Sequence, residues 1–161
     1  MTRFCALVAK ASLMLAVALL VVLILCVQWQ VFGRYVLNDT PTWAENLALL
    51  LVLFVTAFGL AVGVRDSGHI GLESLVGMLP PHWQRRIELL IHALVGAFGV
   101  LMMQGGTTWA MAKWGEKKPM LPVPDGIDYV PIIIAGALVL LFSVEHMWAI
   151  WRGQTVEPAW N

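Results

Sequence analysis

The sequence predicts an all-α membrane protein with four transmembrane helices and a short amphipathic interfacial helix between helices two and three. Three observations carry that reading. Of 161 residues, 60% are hydrophobic and only 12% charged, where soluble domains carry roughly 25% charged residues. Four long stretches lack Asp, Glu, Lys and Arg, and about 20 apolar residues suffice to cross the hydrocarbon core. Trp and Tyr gather at the ends of those stretches, as expected of side chains with one apolar and one hydrogen-bonding edge at headgroup level. The length suits a single domain over residues 1–161. A formal net charge of zero offers nothing to nucleic acid, and two cysteines, Cys5 and Cys26, argue against a disulfide scaffold or zinc site.

The first charge-free run lies between Lys10 and Arg34, giving a span over about 9–33. It is read as a retained helix rather than a cleaved leader. A leader's apolar region is about 7–15 residues and ends in small residues, whereas this run is longer and ends in CVQWQVFGR. The second run, between Glu45 and Arg65, predicts a span over about 44–64. After it, RDSGHIGLESLVGMLPPHW places Leu72, Leu75, Val76 and Leu79 at helical spacing. That pattern predicts an interfacial helix over about 68–79, stopped by Pro80 and Pro81. The third run, between Glu88 and Lys113, predicts a span over about 84–112. EKKPMLPVPDGIDYVP then reads as a stiff irregular connection. The last run, from Asp128 to Glu145, is shorter but continues through His146 to Arg152, a span over about 129–151.

Four spans put both termini on one side. With both termini cytoplasmic, Arg3, Lys10, Arg65, Arg85, Arg86 and Arg152 lie inside and Arg34, Lys113, Lys117 and Lys118 outside, the direction expected from the positive-inside rule.

Polar residues within spans are costly and raise functional hypotheses. Gln28, Gln30, Gln104, Thr107 and Thr108 are read as interhelical hydrogen-bonding groups. His92 and His146 are candidate heme ligands, but their positions along helices three and four predict different depths, which suits one heme poorly. Glu145 is a candidate proton-carrying carboxylate; its place near a helix end favours a local ion pair beside His146 and Arg152, or snorkelling. Gly59 and Gly63, four apart, permit close helix contact within the chain or with a partner. The sequence has no nucleophile–base pair, phosphate-cradling loop or metal-ligand cluster. It also lacks the repeats and broken spans of a self-sufficient transporter. The residues therefore describe an accessory membrane subunit rather than an enzyme.

The order of three motifs resembles the small membrane subunit of TRAP (tripartite ATP-independent periplasmic) transporters, the DctQ-like family. FGRYVLNDTPTWAENLA is similar to the family's Arg-Tyr turn followed by Trp-x-Glu; GLAVGVRDSGHIGLE to its glycine-bearing helix end, Arg and His-Ile; MLPVPDGIDYVPIII to its proline-bearing lead into helix four. Asn46 stands where the family often has a second Glu. The resemblance implies a bacterial inner-membrane, multi-pass, non-catalytic subunit of a sodium-coupled transporter for organic anions such as carboxylates, without a cofactor. Its implied partners are a large elevator-type membrane subunit, which it scaffolds, a periplasmic substrate-binding protein, and lipids. Structural or interface candidates are Arg34, Tyr35, Trp43 and Glu45 at the outer turn, Gly59 and Gly63 on helix two, and Arg65 and His69 at the inner corner. Arg34 and Glu45 are expected to pair across the turn, with Trp43 anchoring it. The alternative is a stand-alone four-helix membrane protein, either a small proton-coupled carrier or a heme-binding electron-transfer subunit.

Overall fold

A computed structural model describes residues 2–39, 41–66 and 80–153. Four helices account for most of them: α1 (Thr2–Tyr35), α2 (Thr42–Asp66), α3 (Pro81–Lys113) and α4 (Val130–Arg152), with a 3-10 turn at Asp125–Tyr129 leading into α4. All four are long and apolar enough to cross a membrane. In lipid this is the physically economical choice, because a helix satisfies its backbone polar groups internally. The expected interfacial helix over about 68–79, and His69 with it, lie outside the described residues.

Two helices overshoot the predicted spans. At 1.5 Å per residue, the 34 residues of α1 and 33 of α3 run about 50 Å, against about 30 Å of hydrocarbon. α1 begins at Thr2, well before the predicted start. Pro81 opens α3, at a position whose missing N–H the helix does not need. Gly153, at φ 67° and ψ 29°, caps α4, its N–H reaching the carbonyls of Ala149 and Ile150.

The helices pack as a layer in the order α1, α2, α4, α3 rather than as a closed bundle. α1 lies against α2, α2 against α4, and α4 against α3; α1 touches α4 only lightly. The buried centre is Cys5 and Ala9 of α1, Ala61 of α2, and Val139 and Phe142 of α4. It sits toward the end of the molecule where α1 begins and α2 and α4 finish, here termed the terminal end. The opposite, turn end carries the α1–α2 turn and the 114–128 connection.

Apolar burial gives helices little reason to associate when the surroundings are equally apolar, so close contact rests on small residues. Those residues lie between α3 and α4. A Cβ at Gly136 would sit 2.6 Å from the Gly99 carbonyl oxygen, and one at Gly106 would sit 2.7 Å from Ile133 Cγ1. Gly59 and Gly63, by contrast, have nothing within 4 Å of a built Cβ. Among the described residues they mediate no close helix contact.

The 114–128 connection is more regular than the sequence predicts. Lys117 bridges Pro124 in antiparallel fashion, the Lys118 N–H donates to Val123 O at 3.0 Å, and the Asp125 N–H to Glu116 O at 2.8 Å. The Lys118 ammonium pairs with the Asp128 carboxylate. Asn46 Nδ2 donates to the Pro119 carbonyl at 3.1 Å, tying this hairpin to the start of α2.

Gly136→Val is expected to push α3 from α4 and destabilise the chain by about 1–3 kcal/mol, the usual cost of overpacking. Gly59→Ala is expected to be neutral or stabilising by up to about 1 kcal/mol, since it gains helix propensity without a clash. Thermal unfolding of the two variants in one detergent compares them directly.

Candidate functional site: a buried polar cluster at the terminal end

Arg65 lies in the last turn of α2, where a cation complements the helix dipole. It does not extend into water: the residue is only 3% exposed. Its Nε donates to Glu145 Oε2 at 3.0 Å and its Nη2 to Glu145 Oε1 at 3.4 Å. Its Nη1 donates to Asp66 Oδ1 at 2.9 Å, and its guanidinium carbon stands 5.9 Å from the centre of the Phe142 ring. Glu145 is 1% exposed, so both of its oxygens are engaged by one planar fork in a site without water access. This side-on geometry is the strong form of an arginine–carboxylate contact.

The cluster draws on every helix. Cys5 of α1 is buried in the apolar centre with Phe142 of α4. His146 of α4 places Nε2 2.9 Å from the Arg65 carbonyl oxygen. The His146 ring stacks on His92 of α3 with centroids 4.4 Å apart and planes inclined by 6°. The Arg65 carbonyl thus meets the α4 histidine while the Arg65 guanidinium meets the α4 glutamate. One residue clamps α2 to α4 through backbone and side chain together.

Several expectations change here. Glu145 neither snorkels nor pairs with Arg152. It pairs across to α2 because it lies on the buried stripe of α4 with Phe142 and Ala149, while Arg152 is exposed and stacks over Trp148 at 4.8 Å. A carboxylate occupied in this way is poorly suited to the shuttling expected of a proton carrier. His92 and His146, expected at different depths, are in contact, because α3 extends past the end of α4. Their face-to-face rings do not fit axial ligation, since parallel stacked imidazoles cannot both aim a nitrogen at an iron between them. Thr107 and Thr108 hydrogen-bond back to carbonyls of their own helix, Met103 and Gln104, each at 2.8 Å, rather than across helices.

At the turn end, no ion pair joins Arg34 to Glu45 among the described residues. Both are exposed, and Arg34 stands over the exposed Tyr35 ring at 5.9 Å. The reason is angular. The α1–α2 contact line runs through Cys26, whose Sγ donates to Ala44 O at 3.4 Å, and Gly33, where a Cβ would meet Pro41 Cδ at 2.9 Å. Arg34 follows Gly33 and Glu45 follows Ala44, so each is turned about 100° off that line. The Asp39 N–H donates to Gly33 O at 3.0 Å, and Asn38 takes a left-handed φ of 52°. Trp43 remains exposed at the start of α2.

Of the candidate residues that the structure describes, Arg65 alone enters the cluster. Nothing in the spacing of Asp66, Glu145, His146, His92 and Cys5 along the sequence groups them with it. The signal available was a lone cation and a lone anion near the same-side ends of two spans.

Comparison with known proteins places this architecture. A family model described as "Tripartite ATP-independent periplasmic transporters, DctQ component" matches residues 23–153. The chain is 27% identical over 92 residues to the sialic acid TRAP transporter small permease protein SiaQ of Vibrio cholerae, covering 56% of this chain and 53% of that one. It is 22% identical over 149 residues to a putative TRAP transporter small permease protein of Haemophilus influenzae, covering 90% and 92%. It is 25% identical over 105 residues to the C4-dicarboxylate TRAP transporter small permease protein DctQ of Vibrio cholerae, covering 62% and 45%. The match thus spans about half the length of the two Vibrio proteins and nearly all of the Haemophilus one.

Arg65→Met and Glu145→Gln are each expected to destabilise the chain by about 3–5 kcal/mol, because each strands a buried partner. The double variant Arg65→Met/Glu145→Leu is expected to cost less than the sum, retaining the penalty of the Asp66 carboxylate that also loses Arg65. Arg34→Gln and Glu45→Gln, by contrast, are expected to be additive and each within about 0.5 kcal/mol of wild type. Double-mutant cycles read by thermal unfolding in detergent check both pairs.

Proposed function

The chain belongs to the DctQ family of TRAP transporter components, and on that premise we propose that it is the fixed membrane scaffold of a sodium-coupled organic-anion transporter. In this reading it is a single-domain, multi-pass protein of the bacterial inner membrane with both termini cytoplasmic. A large, elevator-type membrane subunit carries substrate and sodium. This chain widens the part that stays still, and its turn end helps receive a periplasmic substrate-binding protein.

The observation that carries the proposal is the Arg65–Glu145 clamp. The charged groups buried between α2 and α4 hold each other rather than lining a passage, and no group of three or more metal-ligating side chains occurs among the described residues. A stationary reference needs stiffness of this kind. The layered packing supports the same role, because it leaves broad helix faces without a partner among the described residues. On α2, Gly59 and Gly63 belong to such a face, with open space where a Cβ would project, so it can receive a helix from the large subunit at close range. Arg34, Tyr35, Trp43 and the Asn46–Pro119 contact stand at the turn end, where the binding protein would arrive. The substrate class follows from relatives named for sialic acid and C4-dicarboxylates, both carboxylate-bearing anions.

A tagged chain purified from native membranes in mild detergent is expected to bring down a multi-span membrane protein in stoichiometric amount. In proteoliposomes the pair, with its binding protein, is expected to take up a carboxylate only along a sodium gradient. Gly59→Leu/Gly63→Leu is expected to leave the chain's own unfolding temperature intact. Overpacking at the subunit contact costs about 1–3 kcal/mol, so recovery of the large subunit should fall about tenfold or more. A chain that purifies alone and transports unaided would overturn the proposal.

A further inference from the structure

At the terminal end, on the α3–α4 side of the layer, the first turns of α3 and the last turn of α4 present a cluster that the clamp does not use. Arg85, Arg86 and Arg152 are all exposed. So are Trp83, Trp148 and Trp151. Arg85 Nη2 donates to the Trp151 carbonyl oxygen at 3.0 Å, which brings the α3 arginine beside the residue that precedes Arg152. Arg152 stands over the Trp148 ring at 4.8 Å and Arg86 over the Trp83 ring at 5.9 Å. Trp148 and Trp151 are themselves in contact, with centroids 5.9 Å apart.

The three guanidinium groups have no carboxylate partner among the described residues. Glu88 is the nearest acid along α3 and forms no ion pair with Arg85. A guanidinium exposed at a membrane surface is suited to a phosphate there, because its fork matches phosphate oxygens two at a time. The tryptophans fix the depth of the cluster, since exposed indoles at the ends of spans sit at headgroup level. Three arginines at that depth, without a carboxylate partner among the described residues and held against rings and a helix-end carbonyl, match a phosphodiester in charge, position and geometry.

We propose that Arg85, Arg86 and Arg152 bind the headgroup phosphate of an anionic phospholipid, with Trp83, Trp148 and Trp151 flanking its glycerol and upper acyl region. The lipid bridges the start of α3 to the end of α4. It reinforces the α3–α4 contact at the end farthest from the 3-10 turn. The assignment does not depend on which side of the membrane the terminal end faces, because it rests on headgroup depth alone.

The test uses the full chain, purified from membranes in mild detergent with any subunits it retains. Lipids surviving a detergent wash are identified by mass spectrometry, and phosphatidylglycerol is expected to be enriched over its share in the source membrane. Retention in simple proportion to that share would overturn the proposal without any variant. The protein is then placed in phosphatidylcholine nanodiscs with or without phosphatidylglycerol, and its unfolding temperature is measured. Phosphatidylglycerol is expected to raise it for the wild type and not for Arg85→Gln/Arg86→Gln/Arg152→Gln, each arginine contributing about fivefold in binding. The corresponding lysine variants should keep part of the rise, and Arg3→Gln/Lys10→Gln should keep all of it. An equal rise in the triple glutamine variant, or the same rise from inorganic phosphate in phosphatidylcholine discs, would rule out the lipid site.

Discussion

A buried arginine and glutamate set the arrangement of this molecule. Taking charges out of water costs several kcal/mol per ion even after relaxation, and a lipid surrounding offers nothing in return. Arg65 and Glu145 therefore have little freedom once α2 and α4 are packed: at 3% and 1% exposure, Glu145 keeps its charge through Arg65, and Arg65 through Glu145 and Asp66. Because the contact is two-pronged and the Arg65 carbonyl also meets His146, the pair fixes both the separation and the rotation of the two helices. Phe142, packed with Cys5, closes over it, which seats the start of α1. His92, stacked on His146, sets the level of α3.

The remainder of the packing follows the rules of an apolar solvent. α3 is attached to α4 by backbone approach at Gly99 and Gly136 rather than by burial of large side chains, and many large apolar residues, such as Leu94, Phe98 and Leu101, face outward. In water such faces would be a liability; in hydrocarbon they are simply solvated. A layer of helices is stable there, whereas a soluble four-helix protein would have to close around a core. An open layer has a functional corollary as well, because it exposes much more surface to a neighbouring membrane subunit than a closed bundle of equal length.

The geometry is compatible with the supporting role proposed above. The polar groups that a transporter would place along a pathway are here spent on internal fastening: the clamp at the terminal end, and the Lys118–Asp128 pair and Asn46–Pro119 bond at the turn end. Both ends of the layer are thereby braced, while the helices between them are almost wholly apolar. Such a body can resist lateral drag without changing shape.

The sequence by itself determined the four spans, their order and the aromatic residues at their ends. Lipid makes these demands on length and composition alone, since every backbone polar group must be satisfied inside a helix. Charge-free runs between Lys10 and Arg34 or Glu45 and Arg65 are legible for that reason, and the order of short motifs was enough to suggest the family. Which residues meet was decided only by the tertiary structure. Arg65 finds Glu145, eighty positions away, rather than Arg34 finding Glu45 nearby; Gly99 meets Gly136 while Gly59 and Gly63 stay open; His92 reaches the level of His146. In a soluble helix the apolar stripe reveals which face turns inward. In a membrane helix the inner and outer faces are equally apolar, so rotation and relative height leave little trace in the sequence and are settled by packing.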